Sequence, residues 1–502
     1  MTYGRSTSSR TRKDLSKGGR PAAALSAKLR AMKKAIIAVL GTMLLPVAMA
    51  TPAVADTGLS WQDCGDGLRC SRIIVPADWA APRGKQITLG LAKLPARDPA
   101  TRKGTLVLNL GGPAQQISIL RQAKGTFADL TRWFDVVLYD PRGFEASTEV
   151  RCPDPAPYPA NGKWVFTSRA AFARYTKQNH RFASGCAEAA GPLAGNLDTW
   201  QGARDLEAVR VALGERKLNY FGNSYGGVLG VAYAEYFPSH VGRMYLDSLI
   251  DHTNRSWDGW VLVRAKVKED NLHRFADWCA TDRSCALYGR DVLKVWDEVM
   301  ARAARRPIPA PGVGAGATAD AALIASRAAV SFDATWPGLA KSLAEADAGD
   351  ASRFAEPFAG APDPDLSRIT MCADFPFPST YREVKAMEAR LRKTTPRIGW
   401  TSAWPMAALC AGLPKKTSYP PHPIRPRGLP PILIANGEYD DTSTPAYGRR
   451  IAAQLDGACY LPAKGGHALY WSGNLCVRDQ VHRYLTTGQL PPAGTTCGPA
   501  SS

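Results

Sequence analysis

The stretch Leu218-Asn-Tyr-Phe-Gly-Asn-Ser-Tyr-Gly-Gly-Val-Leu-Gly230 decides how the rest of the chain is read. Positions 218–221 have the composition of the end of a short buried strand, and 226–235 that of a helix rich in small residues. Between them lies Gly222-Asn-Ser224-Tyr-Gly226, a G-x-S-x-G pattern set between strand and helix. A serine on so sharp a turn needs neighbours without Cβ atoms, because strand and helix close on each other there. The turn pushes Ser224 Oγ out of the sheet edge, and the N–H of Tyr225, at the helix start, faces a developing oxyanion. Such a serine needs a base, an acid and a second oxyanion donor from elsewhere in the chain.

Strand-like runs at 87–95, 104–110 and 134–139 precede the serine, and 199–213 has apolar residues at helical spacing. A further strand is read at 241–250. Strands alternating with helices predict an α/β fold with a mostly parallel central sheet covered on both faces. From 253 to 428 the pattern becomes helical, at 272–279, 292–304 and 381–391, with Pro-rich breaks at 307–316 and 419–431. This segment reads as a helical cap over the site. Strands return at 432–436 and 458–462, and a last helix at 477–484. The expected organisation is a leader at 1–55, core at 56–252, cap at 253–428 and second core part at 429–502.

Both late strands end in chemistry-bearing residues. The first runs into Gly437-Glu-Tyr-Asp440, and the second into Lys464-Gly-Gly-His467. Side chains at the carboxyl ends of parallel strands converge on one crevice. Ser224, Asp440 and His467 thus appear in the order Ser…Asp…His of an α/β-hydrolase triad, with His467 as base and Asp440 as its orienting acid. Of the seven histidines, only His467 follows a late strand in a Gly-Gly loop. Asp441 is the alternative acid, and strand register favours Asp440. Asn109-Leu-Gly-Gly112-Pro113 closes an earlier strand; Pro113 lacks an N–H, so Gly112 is the expected second oxyanion donor beside Tyr225.

The formal charge is +19, but ten Lys/Arg against the single acid Asp14 lie in 1–55, and the remainder carries +10. A basic stretch ending at Lys34, an apolar run to Met49 and Ala53-Val-Ala55 before Asp56 read as a cleaved Sec-type signal peptide, hence a secreted, extracellular protein. The residual basicity suits a solvated surface or loose contact with an anionic cell wall, and implies neither a nucleic-acid partner nor integral membrane association. All eleven cysteines lie after the leader, as expected of an oxidising compartment. Close spacing pairs Cys64 with Cys70 and Cys279 with Cys285. By order alone Cys152–Cys186, Cys372–Cys410 and Cys476–Cys497 follow, leaving Cys459 as a buried free thiol. No zinc, H-E-x-x-H or Walker pattern occurs, so neither a metal nor an organic cofactor is expected.

Several further stretches give the chain a specific resemblance. Asn109–Pro113, Asp140-Pro-Arg-Gly143, 205–226, 233–251, Trp278-Cys279, Cys372-Ala-Asp374 and the run from Gly466-His467 to Cys497 occur in the order seen in secreted actinobacterial tripeptidyl/prolyl aminopeptidase-type α/β-hydrolases. The chain resembles this family, within the Ser-dependent prolyl peptidase clan, along nearly all of its mature length. The resemblance implies a serine exopeptidase that cleaves from the amino terminus, with cap acids holding the substrate ammonium; Asp374 and Glu269 are candidates. Departures are Ala114-Gln115-Gln116 where the family continues with glycine, Phe144-Glu-Ala-Ser147 after Asp140–Gly143, Gly227 for a frequent threonine, and one extra residue between Asp440 and Thr444-Pro445. On that basis Ala114 reshapes the oxyanion loop, and Gln115 or Gln116 projects into the pocket. Two other readings share the fold: a carboxylesterase or amidase acting on a small metabolite or lipid, and a binding protein whose altered loop has abolished turnover.

Overall fold

The computed structural model describes residues 59–357, 365–378, 380–414 and 418–499. The leader, 1–55, lies outside the described residues. The scaffold is a nine-stranded sheet: β1 (Gln62–Asp63), β2 (Arg69–Pro76), β3 (Gln86–Leu94), β4 (Thr105–Asn109), β5 (Asp135–Tyr139), β6 (Leu218–Asn223), β7 (Val241–Asp247), β8 (Leu433–Gly437) and β9 (Cys459–Ala463). Their order is β1-β2-β3-β5-β4-β6-β7-β8-β9. The first three strands pair antiparallel, β3 meets β5 antiparallel, and from β5 to β9 every pairing is parallel.

Every residue of β4 and β8 is buried, as expected for parallel strands covered on both faces. The pleat explains how one run fills two cores. Val107, Tyr220, Leu246 and Ile434 point into one cluster with Leu206 and Val209 of the helix Thr199–Ala212. Leu106, Leu108, Phe221, Tyr245 and Leu433 point into the other, with Leu120 and Val481.

Between β7 and β8 the chain is helical, apart from a small ribbon pairing Ile308–Pro309 with Thr318–Ala319. This segment has its own core around Phe275, Trp296, Val299, Leu339 and Leu343. It meets the sheet domain through Trp260, Phe375 and Trp404, packed with Tyr225 and Val228.

Four features differ from the sequence expectation. Strands β1 and β2 lie outside the strand-like runs of the sequence; β2 is an outer strand with exposed positions and little apolar alternation. The strand at 241–250 stops at Asp247, because Ser248 takes a left-handed conformation (φ 48°). The helix at 272–279 is the end of Trp257–Thr281, whose apolar period is broken by buried Glu269 and Asn271. The helical layer also includes Arg169–Ala190, which precedes the serine: Asn179 Nδ2 donates to the carbonyls of Ala408 and Ala411 at 3.1 and 2.9 Å.

All five anticipated cysteine pairs are bonded. Cys459 is the free cysteine among the described residues, half-buried rather than buried, as it begins the edge strand β9. No described helix is long and apolar enough to cross a membrane.

Candidate active site

Ser224 sits directly after β6 at φ 54°, ψ −118°, a conformation that L-residues rarely adopt and that marks a nucleophile elbow. Its N–H donates to the carbonyl of Asp247 at 2.9 Å, and the helix Tyr225–Tyr236 follows at once. The glycine two residues on is sterically required: a Cβ on Gly226 would stand 2.4 Å from the Asn109 carbonyl oxygen. That contact brings the end of β4, and so the Gly111-Gly112 loop, against the elbow. The N–H of Tyr225, first in its helix, has no acceptor within the helix.

His467 and Asp440 arrive on adjacent loops. His467 Nδ1 donates to Asp440 Oδ2 at 2.7 Å. The other oxygen of Asp440 accepts the N–H groups of Thr442 and Ser443 at 2.9 and 2.8 Å, and the residue is 2% exposed. Asp441 does not take this place; its carbonyl accepts Arg264 Nε at 2.9 Å. The two loops are fixed to each other by their backbones. Glu438 N–H donates to Ala463 O and Tyr439 N–H to Gly465 O, both at 2.9 Å. Only glycine fits at 437, where a Cβ would fall 2.1 Å from Gly466 O.

Burial of the His467 imidazole opposes its protonation, but the charge of Asp440, the hydrogen bond to it and the charges of Asp247 and Asp441 outweigh burial. The net effect holds its pKa above the ordinary histidine value.

Asp247, at the end of β7, was missed from the sequence. It is fully buried. One carboxylate oxygen accepts the N–H of Leu469 at 3.1 Å and the other that of Tyr470 at 2.8 Å, while Ser248 Oγ receives the Ala468 N–H at 2.8 Å. Asp247 therefore ties the serine turn to the chain just after His467. A carboxylate at the carboxyl end of a read strand was the available signal.

Neither cap acid suggested for an ammonium is available to one. Glu269 Oε1 accepts the Arg397 N–H at 3.0 Å, and Oε2 accepts those of Ile398 and Gly399 at 2.9 and 2.8 Å. Asp374 is fully buried and takes Thr199 N–H at 3.0 Å, Thr199 Oγ1 at 2.6 Å and the Tyr225 hydroxyl. Burial first, and the nearby charge of Asp198, push its carboxyl well above the usual range. Each acid accepts three hydrogen bonds from the chain itself.

Gln116 likewise does not project into the pocket. It is fully buried and turned into the loop Leu110–Ala114, while Gly112 is exposed and Gln115 half-exposed.

A family model described as "alpha/beta hydrolase fold" matches residues 104–474. The chain belongs to the alpha/beta hydrolase family. A tripeptidyl aminopeptidase of Streptomyces lividans is 30% identical over 488 residues, covering 90% of this chain and 89% of the relative. Serine protease Hip1 of Mycobacterium tuberculosis is 28% identical over 469 residues, covering 86% and 87%. Carboxylesterase B of Mycobacterium tuberculosis is 29% identical over 490 residues, covering 90% and 93%. This alpha/beta hydrolase is an enzyme of the serine hydrolase type, and it resembles the actinobacterial tripeptidyl aminopeptidases along nearly its whole length.

Proposed function

We propose that the chain is a secreted serine exopeptidase that removes short peptides, of tripeptidyl or prolyl type, from the amino termini of peptides. The serine-hydrolase part of this reading is carried by the Asp440–His467 pair, held at 2.7 Å on loops anchored through Asp247 to the elbow that bears Ser224, and the exopeptidase part by the likeness to the tripeptidyl aminopeptidases over 90% of the chain. His467 takes the Ser224 hydroxyl proton as Oγ bonds to the scissile carbonyl carbon, and Asp440 stabilises the resulting imidazolium. The carbonyl oxygen becomes an oxyanion facing the N–H groups of Tyr225 and Gly112. Cleavage of the C–N bond releases the amine, protonated by His467, and leaves an acyl-serine. Water, deprotonated by His467, then frees the acid and restores Ser224. Secretion agrees with the leader composition and with five disulfides, which persist in oxidising compartments.

A second reading, a carboxylesterase or amidase, is favoured by one observation: Asp374 and Glu269, the acids suggested for an amino terminus, are both consumed within the chain. Hydrolysis of a free-amine peptide amide, its N-acetylated twin and an aryl ester separates the two. Dependence on the free amine supports the exopeptidase, and turnover of the ester alone supports the esterase.

A further inference from the structure

The loop that carries Gly112 is held from inside by one side chain. Gln116 Oε1 accepts the Leu110 N–H at 2.6 Å, and its Nε2 donates to the carbonyls of Gly111 at 2.9 Å and Ala114 at 2.6 Å. One donor and two acceptors surround the amide, so a single orientation satisfies all three. The adjacent groups are also taken: Gly111 N–H donates to Asn109 Oδ1, and Leu110 O accepts Asn223 Nδ2, both at 3.0 Å. Gly112 N–H finds no acceptor among the described residues.

The Gly111–Gly112 peptide is trans, so its C=O and N–H point in opposite directions. Holding the Gly111 carbonyl toward Gln116 therefore turns the Gly112 N–H to the opposite side of the loop. That loop abuts the nucleophile, since a Cβ on Gly111 would stand 2.9 Å from Ser224 Cβ. We infer that Gln116 is the positioning residue of the oxyanion hole: its amide sets the Gly111–Gly112 peptide plane and so aims the Gly112 N–H at the transition-state oxygen. Of the side chains of this length, only glutamine offers one acceptor and two donors.

The inference rests on the serine hydrolase reading but not on the choice of peptide or ester, because either acyl transfer passes through the same oxyanion. The test is Gln116→Glu, which keeps size and the acceptor for Leu110 N–H but removes both donors, assayed on whichever substrate the wild type turns over. The expected result is a kcat about ten- to a hundredfold lower with KM within about threefold, less than the full loss of an oxyanion donor. Affinity for a boronic acid that forms a tetrahedral adduct on Ser224 should fall in parallel with kcat. Should Gln116→Glu fail to fold, Gln116→Met keeps the volume, removes all three bonds and carries the same expectation. A folded variant with wild-type kcat, or a loss carried by KM alone with unchanged boronate affinity, would overturn the role. A wild-type protein inert toward both amide and ester would instead overturn the hydrolase reading on which it stands.

Discussion

The carbonyl of Asp247 accepts the Ser224 N–H at 2.9 Å, and its carboxylate holds the backbone of Leu469 and Tyr470, two and three residues beyond His467. One buried residue thereby fixes the nucleophile turn and the base loop relative to each other. Asp247→Asn presents an amide N–H₂ where one acceptor is needed, leaving a buried N–H unsatisfied at about 1–3 kcal/mol. Thermal unfolding should register that loss, and kcat should fall while KM stays near wild type. Unchanged melting and kcat would show that Asp247 does not hold the two loops together.

Asp440 and Asp441 are adjacent in sequence and opposite in expected effect. Asp440→Asn should lower kcat by about a thousand- to ten-thousandfold, as loss of the orienting acid does in other triads. Asp441→Asn should stay within about threefold. Steady-state kinetics on the two variants distinguishes them directly.

In the proposed role of base His467 must be neutral, and the charge of Asp440 prevails over burial to raise its pKa. The acid limb of kcat/KM should therefore lie above the ordinary imidazole value near 6.5, with activity lost as pH falls through it. The residual activity of Asp440→Asn should show that limb displaced to lower pH. A limb at or below 6.5 in the wild type would contradict the electrostatics.

His252 has the opposite sign. Burial, above all, lowers its pKa to about 4, while its Nε2 donates to the Asp374 carbonyl at 3.0 Å and its ring stacks on Tyr419. The unfolded chain binds a proton at higher pH than the folded one, so stability is lost as pH falls from about 6.5 toward 4. The difference approaches about 3 kcal/mol. Denaturant unfolding of wild type and His252→Phe, which retains the ring stack, should diverge in pH dependence across that window. Parallel curves would exclude His252 as the source.

Glu269 closes the start of the 399–403 turn rather than a substrate pocket. Glu269→Gln should lower the melting temperature and leave the preference for a free amino terminus unchanged. A selective loss of that preference, without destabilisation, would restore Glu269 as an ammonium ligand.

The elbow, the late strands and the residues ending them were legible because local sequence determines them: a G-x-S-x-G turn needs its glycines, and buried parallel strands read as apolar runs. The histidine loop was legible for the same reason, in Gly465-Gly466. What escaped reading depends on contacts distant in sequence. Glu269 and Asn271 look like the polar face of a helix, yet they are buried because Arg397–Gly399 and the Tyr439 carbonyl receive them. Gln116 looks like a pocket residue in a loop that departs from its family, and only the fold turns it inward against Leu110 and Gly111. Asp374 looks like a charged cap group until Thr199 and the Tyr225 hydroxyl close on it.

The proposed exopeptidase activity requires that Ser224 attack peptides from a free amino terminus. Its most direct test is hydrolysis, by the purified mature protein, of a chromogenic Xaa-Yaa-Pro amide with a free amine, beside the N-acetylated amide and an aryl ester, with Ser224→Ala as blank. The expected result is fast cleavage of the free-amine amide, lost on acetylation and in Ser224→Ala. Equal cleavage of both amides, or turnover of the ester alone, would rule out the exopeptidase.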